Sequence, residues 1–232
     1  MRGDLDDPMY DIFFISYDET NADDNWGILS KQMPHARRTH GITGIHNAHK
    51  SCAVRSYTPM FWTVDGDTIV DDPSVFSFKP PHYDMVYLHV WRSMNPVNGL
   101  AYGYGSIKLW PRRAVLGFNG TWLDFTTTVG NMKLMHEVPA TTRYNTSEYE
   151  SWKSAFRECI KLCNNIANGD SGESRQRLDT WLTKANPVPF ADSVLRGASD
   201  AVAYFEANRG DTDALRMIND FEWLRERFNG GV

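Results

Sequence analysis

Cysteine is scarce in this chain, and the placement of its three copies excludes a disulfide framework. Cys52 stands alone, while Cys159 and Cys163 lie four apart on an expected helix, a spacing that gives one shared face. All three read as small buried hydrophobes. Long apolar runs are missing as well. Nothing approaches the ~20 residues that a helix needs to cross a bilayer, and the opening MRGDLDDPMY is acidic where a secretory leader would be basic and then apolar. The expected setting is therefore cytosolic, host cytoplasm if the source is viral, with no membrane partner. Without a secretory route, the glycosylation-type triplets at Asn119 and Asn145 carry no weight. Charge of one sign is also weak. A net charge of -5 excludes a generally basic nucleic-acid surface and leaves room for a local positive cleft. No repeat or low-complexity segment is present.

What the chain does have is apolar material, 41% hydrophobic with 13% aromatic, enough for a substantial core and against disorder. Tyr10 to Tyr17 (YDIFFISY) reads as a first buried strand, closed by the turn and cap chemistry of Asp18-Glu19-Thr20-Asn21. Trp26, Leu29 and Met33 fall at helical spacing, and Pro34 ends that pattern. Ala36 to Thr39 offers a second strand, Gly41 and Gly44 mark a loop, and Ile45 to Arg55 a second helix. The Pro- and Asp-rich stretch from Asp71 to Asp84 is expected to be a surface loop. Strands are expected at Met85 to Arg92 and, after the Asn95-Pro-Val-Asn-Gly turn, at Leu100 to Trp110. Pro111 opens a short helix through Leu116. Trp122 to Phe125 and Lys133 to Val138 complete the core. Four helices are then expected, one carrying Trp152, Phe156, Cys159, Ile160 and Cys163, and others over Gln176 to Ala185, Phe190 to Asn208 and Asp211 to Phe228. The expected division is a core over residues 1–148 and a helical extension over 149–232, packed on that core.

The chemistry gathers at Met60-Phe61-Trp62-Thr63-Val64, followed by Asp65-Gly66-Asp67. The apolar run has the pattern of a strand buried on both faces, and its carboxyl end falls where open α/β sheets place their ligand crevice. Two carboxylates so close together repel unless a cation lies between them. Oxygen ligands of this kind suit Mg²⁺ or Mn²⁺, which in turn carry a diphosphate. The alternative is a polar turn in which Gly66 supplies a permissive backbone and both aspartates are solvated.

Taken together, strand, acidic turn, helix, strand, helix and Asp-x-Asp strand resemble the donor-binding half of the GT-A glycosyltransferases, an α/β Rossmann-like fold, over residues 10 to about 138. The most specific part runs from Gly44-Ile-His-Asn-Ala-His-Lys-Ser-Cys-Ala to Phe61-Trp-Thr-Val-Asp-Gly-Asp. The resemblance implies a UDP-sugar donor. The uracil-contacting turn would be Tyr17, Asp18 and Glu19, the ribose and phosphate contacts Asn47 and Lys50, and the metal ligands Asp65, also facing the donor, and Asp67. It further implies a sugar-holding glycine segment at Gly103 and Gly105 and a general base at Asp124, with Glu137 and Glu158 as rivals. His89 and His136 are candidates for a third metal ligand.

The phrases His89-Val-Trp-Arg-Ser-Met-Asn-Pro-Val-Asn-Gly and Ser154-Ala-Phe-Arg-Glu-Cys are similar to a narrower group. These are small phage and metavirome glycosyltransferases that modify hydroxymethylated pyrimidines in DNA. That resemblance implies DNA containing 5-hydroxymethylcytosine or 5-hydroxymethyluracil as acceptor. Trp91, Tyr102, Tyr104 and Trp122 would be available to stack on a base, and Arg92, Lys108, Arg112 and Arg113 to hold phosphates. Two rivals stay open. One is a metal-dependent hydrolase or nuclease built from Asp65, Asp67, His40, His46, His49 and His89. The other is a non-enzymatic binding module in which Trp91, Trp110 and Trp122 are core and the aspartates surface.

Overall fold

In the computed structural model, residues 10–103, 106–119, 125–126, 131–170 and 172–230 are described. Two compact units emerge. One holds the sheets, and the other holds the helices from Arg143 onward together with the Asn95–Leu100 turn. Among the described residues no helix is long and apolar enough to cross a membrane.

The first unit alternates strand and helix: β1 (Asp11–Ser16), α1 (Ala22–Gln32), β2 (Arg37–His40), α2 (Ile45–Arg55) and β3 (Met60–Asp65). The short β4 (Thr68–Val70) follows, then two single-turn 3₁₀ segments, and then β5 (Leu88–Val90), β6 (Ser93–Met94), β7 (Ala101–Tyr102), β8 (Ile107–Pro111), α3 (Arg112–Gly117), β9 (Met132–Leu134) and β10 (Ala140–Thr142). Six strands form one sheet in the order β2-β1-β3-β8-β5-β9. β1 runs parallel to both β2 and β3, and β8 runs against β3 and β5. This is the mixed α/β architecture expected.

β1 and β3 are near-continuous apolar runs because both faces of the sheet are covered. Ile12, Phe14, Trp62, Val64 and Leu109 fill one side under α1, where Leu29 packs. Phe13, Ile15, Phe61, Val90 and Trp110 fill the other under α2, where Ala48, Cys52 and Ala53 pack. Burial pushes the Cys52 thiol up to about 11. Cys163 is likewise raised to about 11, and Cys159 lies well above its usual value, so all three are the buried hydrophobes expected.

The strand expected over Met85 to Arg92 shortens to β5, with β6 just beyond it, and the one expected over Leu100 to Trp110 is broken into β7 and β8. β5 and β8 stay in the large sheet, while β6 and β7 belong to a second, four-stranded sheet of order β4-β10-β6-β7. Buried hydroxyls account for the crossing points. Ser93 donates to the Ala140 carbonyl at 3.0 Å, and Thr142 Oγ1 lies 2.8 Å from the Ser93 hydroxyl and 2.7 Å from that of Ser106. The Asp71 to Asp84 stretch is mostly surface chain, but Pro80 is buried, Val75 and Phe78 pack on the core, and the Phe76 ring is fully buried 5.3 Å from Trp62.

The helical unit contains α4 (Glu148–Ala167), α5 (Glu173–Thr183), α6 (Ala191–Ala207), α7 (Thr212–Arg216) and α8 (Phe221–Gly230). α4 opens on a capping-box sequence, the Ser147 hydroxyl accepting from the Glu150 N–H at 3.1 Å. α4 and α6 approach so closely that a Cβ on Gly197 would lie 2.4 Å from the Trp152 carbonyl. The single helix expected over Asp211 to Phe228 is two. Asp220 accepts from the Glu222 and Trp223 N–H groups at 3.0 and 3.1 Å and so starts a new helix inside the expected one.

Asp11 ties the amino end of β1 to the turn before β3. Burial works to raise its pKa, yet the Tyr57 N–H, the Ser56 hydroxyl and the Arg37 guanidinium at 2.7 Å prevail and hold it below the usual carboxylate range. A depressed folded-state pKa gives stability that is complete above the unfolded value of ~3.9 and is lost as pH falls through the folded value. Asp11→Asn is therefore expected to lower Tm at pH 7, with the deficit shrinking as pH drops below about 4. Thermal melts across pH check it; a deficit independent of pH would contradict it.

Candidate active site at the carboxyl ends of the parallel strands

β1 and β3 run parallel with Ile15 opposite Asp65, so the turns that follow them leave the sheet side by side. These turns carry Tyr17, Asp18 and Glu19 on one strand and Gly66 and Asp67 on the other. They are interlocked. Glu19 Oε2 accepts the Tyr17 N–H at 2.8 Å, and the same oxygen packs against Gly66, where an added Cβ would meet it at 2.6 Å. Asn25, buried on α1, donates its amide to the Gly66 carbonyl at 2.9 Å. Gly66 is thus required by the approach of Glu19, and its φ is not in the left-handed region. Tyr17 and Asp18 are exposed and Glu19 is half-buried.

The same edge receives the start of α2. Gly44 turns the chain into this helix at φ 87°, and the Asn47 amide donates to the Thr43 carbonyl at 3.0 Å. The Tyr17 hydroxyl lies 3.4 Å from that of Thr43. Tyr17, Asn47 and the Asp65–Asp67 turn, expected to share a ligand, are therefore gathered at one end of the sheet. Lys50 is half-buried one turn further along α2.

Asp65 meets a partner that the sequence had cast otherwise. Lys108, in the middle of β8, places its ammonium 3.3 Å from Asp65 Oδ2, with the lysine side chain only 5% exposed. Expected from the sequence to hold a phosphate, Lys108 is instead a buried strand residue facing Asp65. Asp67 is half-buried, with Oδ1 3.5 Å from the Thr68 hydroxyl. Two carboxylates in one turn are a hard-oxygen donor set compatible with Mg²⁺ or Mn²⁺, although the ammonium competes for one of them. Among the described residues no group of three His, Cys, Asp or Glu gathers as a ready-made metal site.

The remaining candidates separate. His89 pairs with Leu109 across β5 and β8, which puts it on the Trp62 face of the sheet, opposite the face of Asp65 and Lys108. There it is buried beside Phe78 at 5.3 Å, and burial lowers its pKa. It is not brought to the aspartates as a third ligand, and this corrects the expectation. His136 and Glu137 are exposed. Glu158 is engaged by Arg177 at 2.7 Å within the helical unit. Gly103 is explained by packing, since a Cβ there would lie 2.8 Å from Leu134 Cδ1. Trp91 is core, 4.8 Å from Trp62, and Arg112 donates to the Ala53 carbonyl in the last turn of α2. Trp91 does not keep the stacking role expected of it, whereas Arg112 is half-buried and Arg113 is exposed. Tyr104, Gly105, Trp122 and Asp124 lie outside the described residues.

Among the described residues, the histidines proposed for a hydrolase centre form no three-residue metal group with the aspartates. His40 Nδ1 pairs with the Ser16 hydroxyl at 3.0 Å. His49 Nδ1 donates to the Ile45 carbonyl at 2.8 Å, and burial, reinforced by the Lys108 charge, pushes its pKa down to about 3, so the ring is neutral at pH 7. His46 and His49 pack on Phe125 at 5.4 and 5.1 Å as part of an aromatic core.

No family model matches the sequence, and no curated protein matches it. Among solved structures, the chain is similar to a glycosyltransferase involved in the glycosylation of the major capsid of PBCV-1. The likeness has a TM-score of 0.36 and 14% identity, covering 54% of this chain and 82% of that one.

The Glu19–Gly66 contact makes a sharp expectation. Gly66→Ala should destabilise by roughly 1–3 kcal/mol through overpacking, and Glu19→Ala in the same chain should relieve most of that loss. The double variant should be more stable than the sum of the singles predicts by at least ~0.5 kcal/mol. Denaturant midpoints of the four proteins test it; strict additivity would show that the contact does not constrain the turn.

Proposed function

We propose that this protein is a metal-dependent glycosyltransferase that moves a hexosyl or pentosyl group from a UDP-sugar to a hydroxyl acceptor. The observation that carries this reading is the junction of the Tyr17–Glu19 turn, the Asp65–Asp67 turn and the start of α2 at the carboxyl ends of parallel strands. It is the place where an α/β sheet offers a ligand crevice, and it collects the residues that the sequence resemblance assigns to the donor. In this reading the exposed Tyr17 and Asp18 would meet the base, and Asn47 and the half-buried Lys50 would meet ribose and phosphate, the roles that the sequence resemblance implies. Asp65 and Asp67 would hold Mn²⁺ or Mg²⁺, which offsets the negative charge that accumulates on the leaving diphosphate.

In the proposed reaction the acceptor oxygen forms a bond to the anomeric carbon while the bond from that carbon to the diphosphate breaks. UDP leaves with the electron pair, and Asp124 takes the hydroxyl proton, with inversion. The acceptor we propose is the hydroxymethyl group of 5-hydroxymethylcytosine or 5-hydroxymethyluracil in DNA. Its support is the sequence resemblance of the segments beginning at His89 and Ser154. Such a base must be reached in the major groove or extruded, at a cost of a few kcal/mol. With a net charge of -5, activity on DNA is expected to fall steeply as salt rises.

The test is mass spectrometry of hydroxymethylated and unmodified DNA after incubation with a panel of nucleotide sugars and Mn²⁺. Labelling confined to the hydroxymethylated DNA supports the full reading; glycosylation of a small alcohol alone removes the DNA acceptor and keeps the transferase. Asp67→Asn is expected to abolish turnover with an unchanged circular-dichroism spectrum, and full activity in EDTA would end the metal assignment. Asp124→Asn should lower turnover by ~10²–10⁴-fold. Near wild-type turnover, or a product that keeps the donor's anomeric configuration, would remove Asp124 from the base role.

A further inference from the structure

We propose that Asp84, His89 and Lys133 form a pH-sensitive clasp on the edge strand β9. When the buried imidazole takes up a proton from solvent, the Asp84 carboxylate leaves the Lys133 ammonium for the ring, and β9 loosens from β5. The clasp lies apart from the Asp65–Asp67 turn and stands whether or not that turn binds a nucleotide sugar.

Strand register brings the three groups together. β5 and β9 run parallel with His89 opposite Lys133, so both side chains leave the sheet on its Trp62 face. Asp84 reaches the same place from the 71–85 segment that covers this face, and its Oδ1 accepts from the Lys133 ammonium. Phe76 packs that cover on Trp62 at 5.3 Å, and Phe78 packs it on Trp91 at 5.2 Å and on His89 at 5.3 Å. β9 is three residues long and lies at the end of the sheet with β5 as its neighbour. The ion pair therefore ties the cover to a short strand that has little else to hold it among the described residues.

His89 makes the tie sensitive to pH. The residue is 1% exposed, and among the described residues neither ring nitrogen has a hydrogen-bond partner. A neutral ring tolerates that beside Phe78 and Trp91, whereas an imidazolium brings two N–H donors that need acceptors. The charged groups facing it are Asp84 from the cover and Lys133 from β9. Tyr87 and Tyr83 act on the lysine, Lys79 and His82 of the cover are exposed, and β8 presents Leu109. Burial and the lysine charge disfavour the imidazolium, and they outweigh Asp84 and the Tyr87 backbone. Proton uptake thus sets two cations against one carboxylate, and the buried one has the greater need of it. Because the folded ring lies below its unfolded value of ~6.5, the closed clasp is fully stable above that value and loses stability as pH falls.

The test is native-state hydrogen exchange of the full chain by NMR at about pH 7.5 and about pH 5.5, corrected for the intrinsic pH dependence of exchange. The probe is the Met135 N–H, which donates to the Val90 carbonyl at 2.8 Å just past β9, and the reference is the Asp65 N–H, which donates to the Ser106 carbonyl at 3.0 Å in the same sheet. Protection at Met135 should fall by about tenfold relative to Asp65, because a released ring titrates near its ordinary ~6.5. His89→Phe, which suits the aromatic surroundings, should remove that fall. In the charge variants the His89 ring signals should titrate at higher pH in Lys133→Met and at lower pH in Asp84→Asn. An equal fall at Met135 and Asp65, or a fall at Met135 that survives His89→Phe, overturns the proposal. If His89→Phe does not fold, the charge variants decide, since a His89 titration that neither of them moves belongs to a histidine that only fills space and overturns the clasp.

Discussion

Burial of β3 on both faces is the constraint from which the rest of the first unit follows. With β1 on one side, β8 on the other and apolar clusters above and below, β3 can carry polar groups only at its ends or where a partner is built in. Thr63 is the interior exception, and its hydroxyl accepts from the Trp110 indole N–H at 2.9 Å. Lys108 is the exception on the neighbouring strand, and Asp65 answers it. A lone ammonium at that depth would be strongly unfavourable, so Asp65 has a structural duty before any ligand arrives. The first carboxylate of the turn is therefore committed to the sheet.

The sequence was most legible where one period ran long enough to be counted. α2 falls on the expected residues, 45 to 55, because Gly44 marks its start and Ala48, Cys52 and Ala53 recur on one face. β1 and β3 were equally plain, since two-sided burial writes itself as an unbroken apolar run. The second sheet was not legible. Its strands are two or three residues long, too short for any periodicity, and they are held by pairings such as Ser93 with Thr142 that join residues far apart in sequence. The break between α7 and α8 was readable in principle, because Asp220 is an N-cap residue set inside a helical pattern.

The site shows the same division. Two acids at a strand end could be placed from the local pattern alone. Which face each neighbour occupies could not, because facing depends on strand order. His89 and Lys108 lie on adjacent strands, yet register turns one toward Trp62 and the other toward Asp65. A charged residue inside the otherwise apolar Ile107–Pro111 run was itself a signal, since a lysine there requires a carboxylate close by. The identity of that carboxylate lay 43 residues upstream, beyond the reach of any local reading.

Glu19 shows how far positioning extends into residues first read as ligand contacts. One of its oxygens holds the Tyr17 N–H, and the same carboxylate fills the space that a side chain at residue 66 would need. Asn25 fixes the opposite side of that glycine through its carbonyl. Glu19 is thus engaged in joining two turns, and the groups in the first turn that face solvent are Tyr17 and Asp18. The Asp65–Asp67 turn is held by its own contacts, because Gly66 is clamped between Glu19 and Asn25 and Asp65 rests on a buried lysine. Were the turn to take the donor proposed for it, little ordering would remain to be done, which is the condition under which fixed charges act most strongly on a developing one.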